Sequence, residues 1–306
     1  MKTEEAILYS YGYSAISSAI PAYAKVGDVI FVDEACNFSI QQGLIASRST
    51  IKFFKHNDVN DLIRLLEQQS QHDRKNPKKA KSYSKFLILE GLYMNTGDIC
   101  SLPAFVDLKH AHKLRLFIDD SCSFGVLGKN GRGIVEHYEL DISMDIDMIA
   151  VSLEYSCAAY GGFCCGTHYI IDHQRLSGLG YCFSASLPPL QAAAGLRAIE
   201  IIQKEPERLV KLRNNCEHFH EIHMKNQTKS IVSVESEDIS PVKHLRFIFQ
   251  VRTLLAEPRD PSIIKQKTLD ENKAFYSKTR TPRECLTYQL EKIVFLVSIY
   301  SLFLLI

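Results

Sequence analysis

The chain alternates short apolar runs with longer stretches whose apolar residues recur at helical spacing. Residues 57–71 open with the cap candidates Asn57 and Asp58, and Pro103 stands near the start of a second helical pattern. Strands that are apolar on both faces and alternate with helices predict an α/β fold with a mainly parallel sheet covered on both sides. The predicted strands lie at residues 29–35, 85–91, 114–120 and 147–153.

The second part of the chain follows a different pattern. From about Leu190 a long amphipathic stretch predicts helix, and Pro206 interrupts it. Residues 230–251 are compatible with strands of a second domain, and beyond them the periodicity decays. The final residues 293–306 carry no charge. As a helix they would extend roughly 21 Å against a hydrocarbon core of roughly 30 Å, which favours a core or interfacial segment over the alternative, a tail anchor.

Charge and cysteine usage exclude several classes of function. With 36 basic and 35 acidic residues the net charge is +1, which gives no general attraction to nucleic acid. The basic stretch 74–85 contains a proline between two apolar segments, so a solvated loop is favoured over a binding patch. The nine cysteines show neither CxxC nor Cys/His ligand spacing, which predicts buried reduced thiols and no metal site.

Polar groups mark the ends of three predicted strands: Glu90, Asp119 with Asp120, and the stretch from Ser152 to Tyr155. Because ligands in parallel α/β sheets bind beyond the carboxyl ends of the strands, we expect a site here. A carboxylate in this position either caps a helix or pairs locally, or it holds a ligand cation such as a protonated pyridine nitrogen. The residues alone leave both interpretations open.

Seven segments carry a family resemblance, and their order and spacing agree from about Lys2 to Pro189. They are SYGYSAI, KVGDVIFVDEACNFSIQQG, FKHND, LEGLYMNTGDICSLPAFVDLK, FIDDSCSFGVLGKNGRG, SLEYSCAAYGGF and GYCFSASLPP. Together they resemble the α-oxoamine synthase branch of the fold-type I pyridoxal-phosphate (PLP) enzymes, which condense an amino acid with an acyl-CoA. Within that family, phrases such as EGLYMNTG and GGFCCG are most similar to the long-chain base 1 subunits of serine palmitoyltransferases.

The resemblance implies a domain division and a location. Residues 1–204 are expected to form the large domain, without the N-terminal arm and membrane helix of such relatives. Residues 205–306 are expected to form a partial or divergent α+β domain, with 250–306 unassigned. It also implies the cytosolic face of the endoplasmic reticulum membrane, although no clear transmembrane span is visible in the sequence.

Departures from the family's pattern bear on catalysis. Tyr155 stands where catalytic relatives carry the lysine that bonds PLP, and a tyrosine cannot form an imine, so the chain alone is expected to be inactive. Glu154 replaces a small hydroxyl residue near the cofactor phosphate, which a carboxylate repels. Phe38 and Cys122 replace two histidines, and we expect both as apolar residues that fill a disused pocket. The resemblance leaves Asp119 and Ser152 as remnants of a cofactor site, although Asp119 is also explained as a local cap.

The resemblance also points to a subunit interface. In relatives the loop that matches Phe183–Pro189 reaches toward the partner's cofactor phosphate, so Ser184 and Ser186 are expected to contribute to the PLP site of a partner. The alternative is a helix entry with Ser186 as its cap. The glycine-rich turn, with Gly125, Gly128, Gly131 and Gly133, is likewise expected at the interface.

The function implied is a non-catalytic subunit of serine palmitoyltransferase. It would pair with a lysine-bearing long-chain base subunit that binds most of the PLP, and would support the condensation of L-serine with palmitoyl-CoA to 3-ketosphinganine. Two alternatives stay open at this point. One is a non-enzymatic scaffold or binding protein derived from a PLP-enzyme fold, and the other is a homodimeric synthase that uses another lysine.

Overall fold

A central seven-stranded sheet organises the protein, and a computed structural model describes residues 1–225, 232–234 and 236–247. The strands of the sheet are β1 (Glu5–Tyr9), β2 (Val29–Asp33), β3 (Thr50–Phe54), β4 (Lys85–Glu90), β5 (Arg115–Asp119), β6 (Met148–Ser152) and β7 (Gly162–Gly166). Their order is β1-β7-β6-β5-β4-β2-β3, and β7 runs antiparallel to both of its neighbours while the other pairings are parallel. The mainly parallel sheet and all four predicted strands are confirmed.

Helices cover the sheet. They are α1 (Gly12–Tyr23), α2 (Phe38–Ser47), α3 (Val59–Lys75), α4 (Pro77–Ala80), α5 (Leu102–His112), α6 (Ile134–His137), α7 (Ile142–Asp145), α8 (His168–Ser177), α9 (Leu179–Cys182), α10 (Pro189–Lys204) and α11 (Glu207–Lys225). Asp58 caps α3 by accepting hydrogen bonds from the backbone amides of Asn60 (2.9 Å) and Asp61 (3.1 Å), as predicted. Pro103 lies in the first turn of α5.

Apolar side chains form one layer on each face of the sheet. Alternate residues of a strand point to opposite faces, so Phe31 and Leu87 join one buried cluster while Ile30 and Phe86 join the other. The adjacent cysteines of β7 follow the same rule, with Cys165 in the first cluster and Cys164 in the second. All eight cysteines of the described residues are free thiols, and seven of them are buried.

The second half of the chain packs onto the first of these layers. Pro206 separates α10 from α11, as predicted. Leu212 and Cys216 of α11 are buried in the same cluster as the sheet residues, together with Val242. A separate antiparallel pair, β8 (Val232–Val234) and β9 (Leu245–Phe247), confirms strands in this region. Most of the predicted C-terminal domain 205–306, including the segment 293–306, lies outside the described residues.

Two further expectations have outcomes here. The basic stretch 74–85 is exposed at its lysines Lys78, Lys79 and Lys81, but it includes the end of α3 and the short helix α4 rather than a plain loop. Within the part of the chain that the structure describes, every helix is too short or too polar to cross a lipid bilayer.

Candidate functional site

A cavity of about 210 Å³ opens at the carboxyl ends of β4, β5 and β6. These strands end in Glu90, Asp119 and Ser152, so the predicted convergence of polar strand ends is confirmed. The first turns of α1 and α2 complete the wall. The described lining residues are Gly12, Tyr13, Ile16, Asn37, Phe38, Ser39, Glu90, Met94, Asp119, Ser121, Cys122, Ser152, Glu154 and Tyr155.

Two buried carboxylates form the floor of the cavity. Glu90 and Asp119 face each other on the paired strands β4 and β5, and both are almost fully shielded from solvent. Asn37 joins them: its backbone amide donates to Glu90 Oε1 at 2.6 Å, and its side-chain amide donates to Asp119 Oδ2 at 2.8 Å. The same side chain caps α2, since its oxygen accepts from the Ile40 amide at 3.1 Å.

Burial keeps this carboxylate pair from being fully charged. Loss of solvation, and then the charge of Asp119, raise the pKa of Glu90 to about 8, and burial raises the pKa of Asp119 as well. Near neutral pH the pair therefore retains a proton. Asp119 is also satisfied within the chain, because Oδ1 accepts from the Ser121 hydroxyl at 2.5 Å and from its backbone amide at 3.2 Å.

The turn after β6 brings the predicted remnant residues to the cavity. Ser152 is buried, and its hydroxyl oxygen accepts from the Glu154 amide at 3.2 Å. Glu154 is exposed at the cavity wall. Tyr155 is half-buried and its hydroxyl donates to the sulfur of Met94 at 3.4 Å. Burial, followed by nearby acidic groups, raises the pKa of Tyr155, so it is a neutral phenol at physiological pH.

The two positions that replace histidines differ in their surroundings. Cys122 is buried, as predicted. The prediction that Phe38 fills a buried pocket is wrong, because its side chain is 61% exposed. Phe38 is the first residue of α2, where the cap at Asn37 turns it toward the cavity mouth, and its ring stacks on Tyr13 with centroids 6.1 Å apart.

Asp120, adjacent to Asp119, serves a different part of the fold. Its Oδ1 accepts from the Ile134 amide at 3.2 Å and from the Ser123 hydroxyl, so it holds the loop between β5 and α6. A side chain at Gly133 would lie 1.7 Å from Asp120 Oδ2, which explains the glycine there. The glycines at 125, 128, 131 and 133 are buried against the chain's own residues, while Lys129 and Asn130 of the same turn are exposed, and the place of this turn at an interface stays a prediction.

The loop between α9 and α10 is exposed, and Ser184 and Ser186 lie on it. The Ser184 hydroxyl donates to the carbonyl of Gly180 at 2.5 Å. The helix entry differs from the alternative considered for Ser186: α10 begins at Pro189 with Pro188 in the cap position, and no side chain caps it. Proline at the cap and first position explains this shift, because its missing N–H needs no cap.

One group of possible metal ligands lies away from the cavity. Glu5, His168 and Asp172 have ligand atoms within 4.8 Å of one another. Arg175 already supplies positive charge to both carboxylates, with Nη1 at 2.9 Å from Glu5 Oε2. The group is therefore a surface salt-bridge network that joins β1 to α8.

Comparison with known proteins assigns the chain to a family. The family model described as aminotransferase class I and II matches residues 1–237. The chain belongs to that family.

Several relatives share a more specific name. Serine palmitoyltransferase 1 of Dictyostelium discoideum is 43% identical over 249 residues, which are 81% of this chain and 51% of that protein. Long chain base biosynthesis protein 1 of Arabidopsis thaliana is 45% identical over 213 residues, covering 70% of this chain and 43% of that protein. The chain thus spans about half the length of the curated relatives it matches.

Solved structures agree with the fold. Serine palmitoyltransferase of Sphingomonas wittichii superposes with a TM-score of 0.72 at 27% identity, covering 82% of this chain and 59% of that chain. A variant of serine palmitoyltransferase from S. paucimobilis, with a bound PLP-myriocin aldimine, gives a TM-score of 0.71 at 28% identity. The match covers 81% of this chain and 58% of that chain. The predicted fold-type I large domain is therefore confirmed.

The residues of this cavity do not fit PLP. Tyr155 offers no amine, and both oxygens of Asp119 are hydrogen-bonded within the chain. Among the described lining residues there are three carboxylates and no lysine, arginine or histidine, so nothing there compensates a phosphate dianion. The arrangement retains the floor and wall of a ligand site without its cationic groups.

Asn37 and Met94 are site residues that the sequence interpretation missed. An asparagine directly ahead of an apolar helical run is a cap signal, and the cap of α2 was bound to lie beside the strand ends. Met94 had no such signal. It reaches the cavity because the turn after β4 folds back, with Leu92 and Ile99 bridged in antiparallel fashion.

Proposed function

We propose that this chain is the non-catalytic subunit of a serine palmitoyltransferase. It pairs with a lysine-bearing long-chain base subunit, and the pair condenses L-serine with palmitoyl-CoA to 3-ketosphinganine in sphingolipid biosynthesis. The observation that carries the proposal is Tyr155 at the turn after β6, in a cavity whose described lining holds no lysine, arginine or histidine. Relatives named serine palmitoyltransferase 1 and long chain base biosynthesis protein 1 support it.

The cofactor belongs mainly to the partner in this proposal. PLP supplies the chemistry that activates the amino acid when it is bound there, and Asp119 and Ser152 here are remnants of the equivalent site. The contribution of this chain comes from its exposed loop 183–188, where Ser184 and Ser186 act at the partner's phosphate site. The Ser184 hydroxyl then exchanges its bond to the Gly180 carbonyl for one to the phosphate. The cytosolic face of the endoplasmic reticulum membrane is the location we propose.

Co-purification tests the pairing. The full chain is co-expressed with a lysine-bearing subunit, and each protein is also purified alone. We expect a stable complex that forms 3-ketosphinganine from L-serine and palmitoyl-CoA, while this chain alone has no activity and no visible cofactor absorbance. Replacing the partner's lysine by alanine is the matched control, and it should abolish activity without preventing association.

Two outcomes would replace the proposal. Cofactor absorbance and activity in the purified chain would instead support a homodimeric synthase that uses another lysine. If neither association nor activity appears with any lysine-bearing subunit, a scaffold or binding protein with a PLP-enzyme fold becomes the better description.

A further inference from the structure

The turn at residues 92–99, between β4 and α5, connects the cavity with the C-terminal segment. Met94 makes three of its contacts. Its backbone amide donates to Glu90 Oε2 at 3.1 Å, and its sulfur accepts from the Tyr155 hydroxyl. Its carbonyl accepts from His244 Nε2 at 2.9 Å. The position of this turn therefore determines one wall of the cavity and the position of the His244 side chain.

His56 and Asn57 hold the turn in place. Asn57 binds its end, donating to the Ile99 carbonyl at 3.0 Å and accepting from the Ser101 amide at 3.0 Å. His56 binds its tip, because the ring lies between Asp33 at the end of β2 and Asp98 of the turn. Nδ1 is 2.9 Å from Asp33 Oδ1, and Nε2 is 3.1 Å from Asp98 Oδ2.

The surroundings of Nε2 allow two hydrogen-bonded states. The hydroxyl of Thr96 also lies 3.1 Å from this nitrogen. An ionised carboxylate only accepts, so the ring bonds both Asp33 and Asp98 only when both of its nitrogens carry protons. A neutral ring that keeps its proton on Nδ1 loses its bond to Asp98 and accepts from Thr96 instead.

We propose that His56 is a proton-operated latch of the 92–99 turn. As an imidazolium it joins the buried end of β2 to Asp98 and holds Met94 against the cavity. When the ring is neutral, the bond to Asp98 is lost and the turn loosens. His56 acts through the turn and is a positioning residue, and its role does not depend on the proposed enzymatic function.

The charges around His56 determine the direction of the switch. Its own backbone amide donates to Glu34 Oε1 at 3.3 Å, the edge of Tyr93 lies against its ring at 4.6 Å between centroids, and Glu237 binds the neighbouring Ile99 amide at 3.1 Å. These groups, like Asp33 and Asp98, are acidic or neutral. Burial lowers the pKa of His56, but hydrogen bonds and charges of Asp33 and then Asp98 outweigh it, so the pKa is raised. The latch is closed at low pH and opens as the pH rises through that raised pKa.

Methyl NMR of the full chain tests the latch. The sequence contains five methionines, so the [¹³C]methyl spectrum is simple, and Met94→Leu assigns the relevant signal. Because Glu90 contacts Met94 and also titrates, the experiment uses the Glu90→Gln background. We expect the Met94 methyl to titrate with the same midpoint as the His56 ring, above the ordinary histidine value of about 6.5.

Asp98→Asn is the decisive variant, since it keeps the shape of the turn but removes the charge. It should lower the midpoint of His56 and remove the linked change at Met94, while Met144, 68% exposed on α7, serves as the unaffected reference. Hydrogen exchange at the Tyr93 and Gly97 amides gives a second readout. Corrected for intrinsic rates, their protection should fall about tenfold between pH 6 and 8 in the parent and stay constant in Asp98→Asn.

Either of two results overturns the proposal. One is a His56 titration that leaves the Met94 methyl and the protection of the turn unchanged. The other is an Asp98→Asn variant whose Met94 signal titrates as in the parent. His56→Gln is a supporting variant, but the conclusion rests on Asp98→Asn, whose half-exposed side chain is the milder change to the fold.

Discussion

Asn37 links three parts of the candidate site, because it contacts Glu90, Asp119 and the first turn of α2. Asn37→Ala removes a helix cap and leaves a buried carboxylate oxygen without its donor. We expect a loss of about 2–4 kcal/mol in the free energy of unfolding, the sum of a cap and an unsatisfied buried group. Urea denaturation monitored by circular dichroism measures it.

Asp58→Ala is the matched control for Asn37, since it removes the cap of α3 without touching the cavity. Its expected cost is about 1 kcal/mol. Equal losses in the two variants would mean that the bond between Asn37 and Asp119 contributes no stability.

Glu90 gives the site a pH dependence with a defined sign. Its pKa of about 8 in the folded protein exceeds the ordinary value of 4.5, so the folded state binds the proton more tightly. Stability from this group is present below pH 4.5 and is lost as the pH rises toward 8, with a slope of at most about 1.4 kcal/mol per pH unit. Urea unfolding at pH 5 to 8 should show a fall in stability that is shallower in Glu90→Gln than in the parent. The exposed Glu67→Gln should leave the slope unchanged.

The position of Tyr155 predicts the result of an attempt to restore the cofactor site. Tyr155→Lys alone should not bind PLP, because Glu154 still repels the phosphate and Phe38 still occupies a histidine position. The triple variant with Glu154→Ser and Phe38→His should bind more tightly. A phosphopyridoxine analogue without the aldehyde, titrated by calorimetry, separates charge effects from imine formation. Tight binding of PLP by Tyr155→Lys alone would contradict the electrostatic account.

For single residues, the sequence predicted which strand ends meet, since Glu90, Asp119 and Ser152 all line the cavity. It did not predict the hydrogen bond from Asn37 to Asp119, because that bond joins residues 82 positions apart in the sequence. The exposure of Phe38 was also mispredicted, since residue type alone does not tell which way the first turn of a capped helix faces.

At the scale of the elements, the first residue of α1, Gly12, lies against the end of strand β6. A Cβ on Gly12 would lie 2.0 Å from Ser152 Oγ and 2.5 Å from Ser152 Cβ. Gly12→Ala should therefore cost about 1–3 kcal/mol, as overpacked sites do. Thermal and urea unfolding measure the loss, and the second change Ser152→Gly should recover part of it by removing both clashing atoms.

Gly195→Ala is the comparison for Gly12. In the interior of α10 the added methyl meets the end of the Leu153 side chain at 3.1 Å and the Cβ of Ala159 at 3.9 Å, which is an ordinary contact. Helix propensity favours alanine there by up to about 1 kcal/mol, so this variant should be neutral or more stable. A Gly12→Ala variant as stable as Gly195→Ala would show that α1 can move away from β6 without cost.

The elements predicted correctly are those with long apolar runs or clear caps, such as β4, β5 and α3. Three strands of the central sheet were not predicted: β7 begins and ends with glycine, β3 is an edge strand with polar positions, and β1 lies at the other edge. Their place in the sheet comes from pairing with neighbours, as in the antiparallel register of Ala150 with Cys164. Such tertiary pairing outweighs local propensity and is not visible in one strand's sequence.

At the scale of the whole molecule, exposed apolar side chains from α8 to α10 suggest where the proposed partner binds. Large side chains there are exposed on one stretch of the chain: Leu176 (85%), Leu179 (56%), Phe183 (83%), Leu190 (78%) and Leu196 (60%). Exposed apolar patches of this kind mark association surfaces. The stretch continues from the loop that carries Ser184 and Ser186, so binding there would place both hydroxyls at the partner.

Phe183→Glu tests this surface in the co-purification experiment. Burying a charge at an apolar contact should weaken association with the lysine-bearing subunit about tenfold or more, and 3-ketosphinganine formation should fall with it. The side chain is 83% exposed, so the stability of the isolated chain should change by no more than about 0.5 kcal/mol. Met144→Glu is the control, because Met144 is also exposed but lies on α7, at the amino end of β6. If both variants bind like the parent, the partner contacts another surface, and Ser184 and Ser186 lose their proposed role while the pairing itself stands.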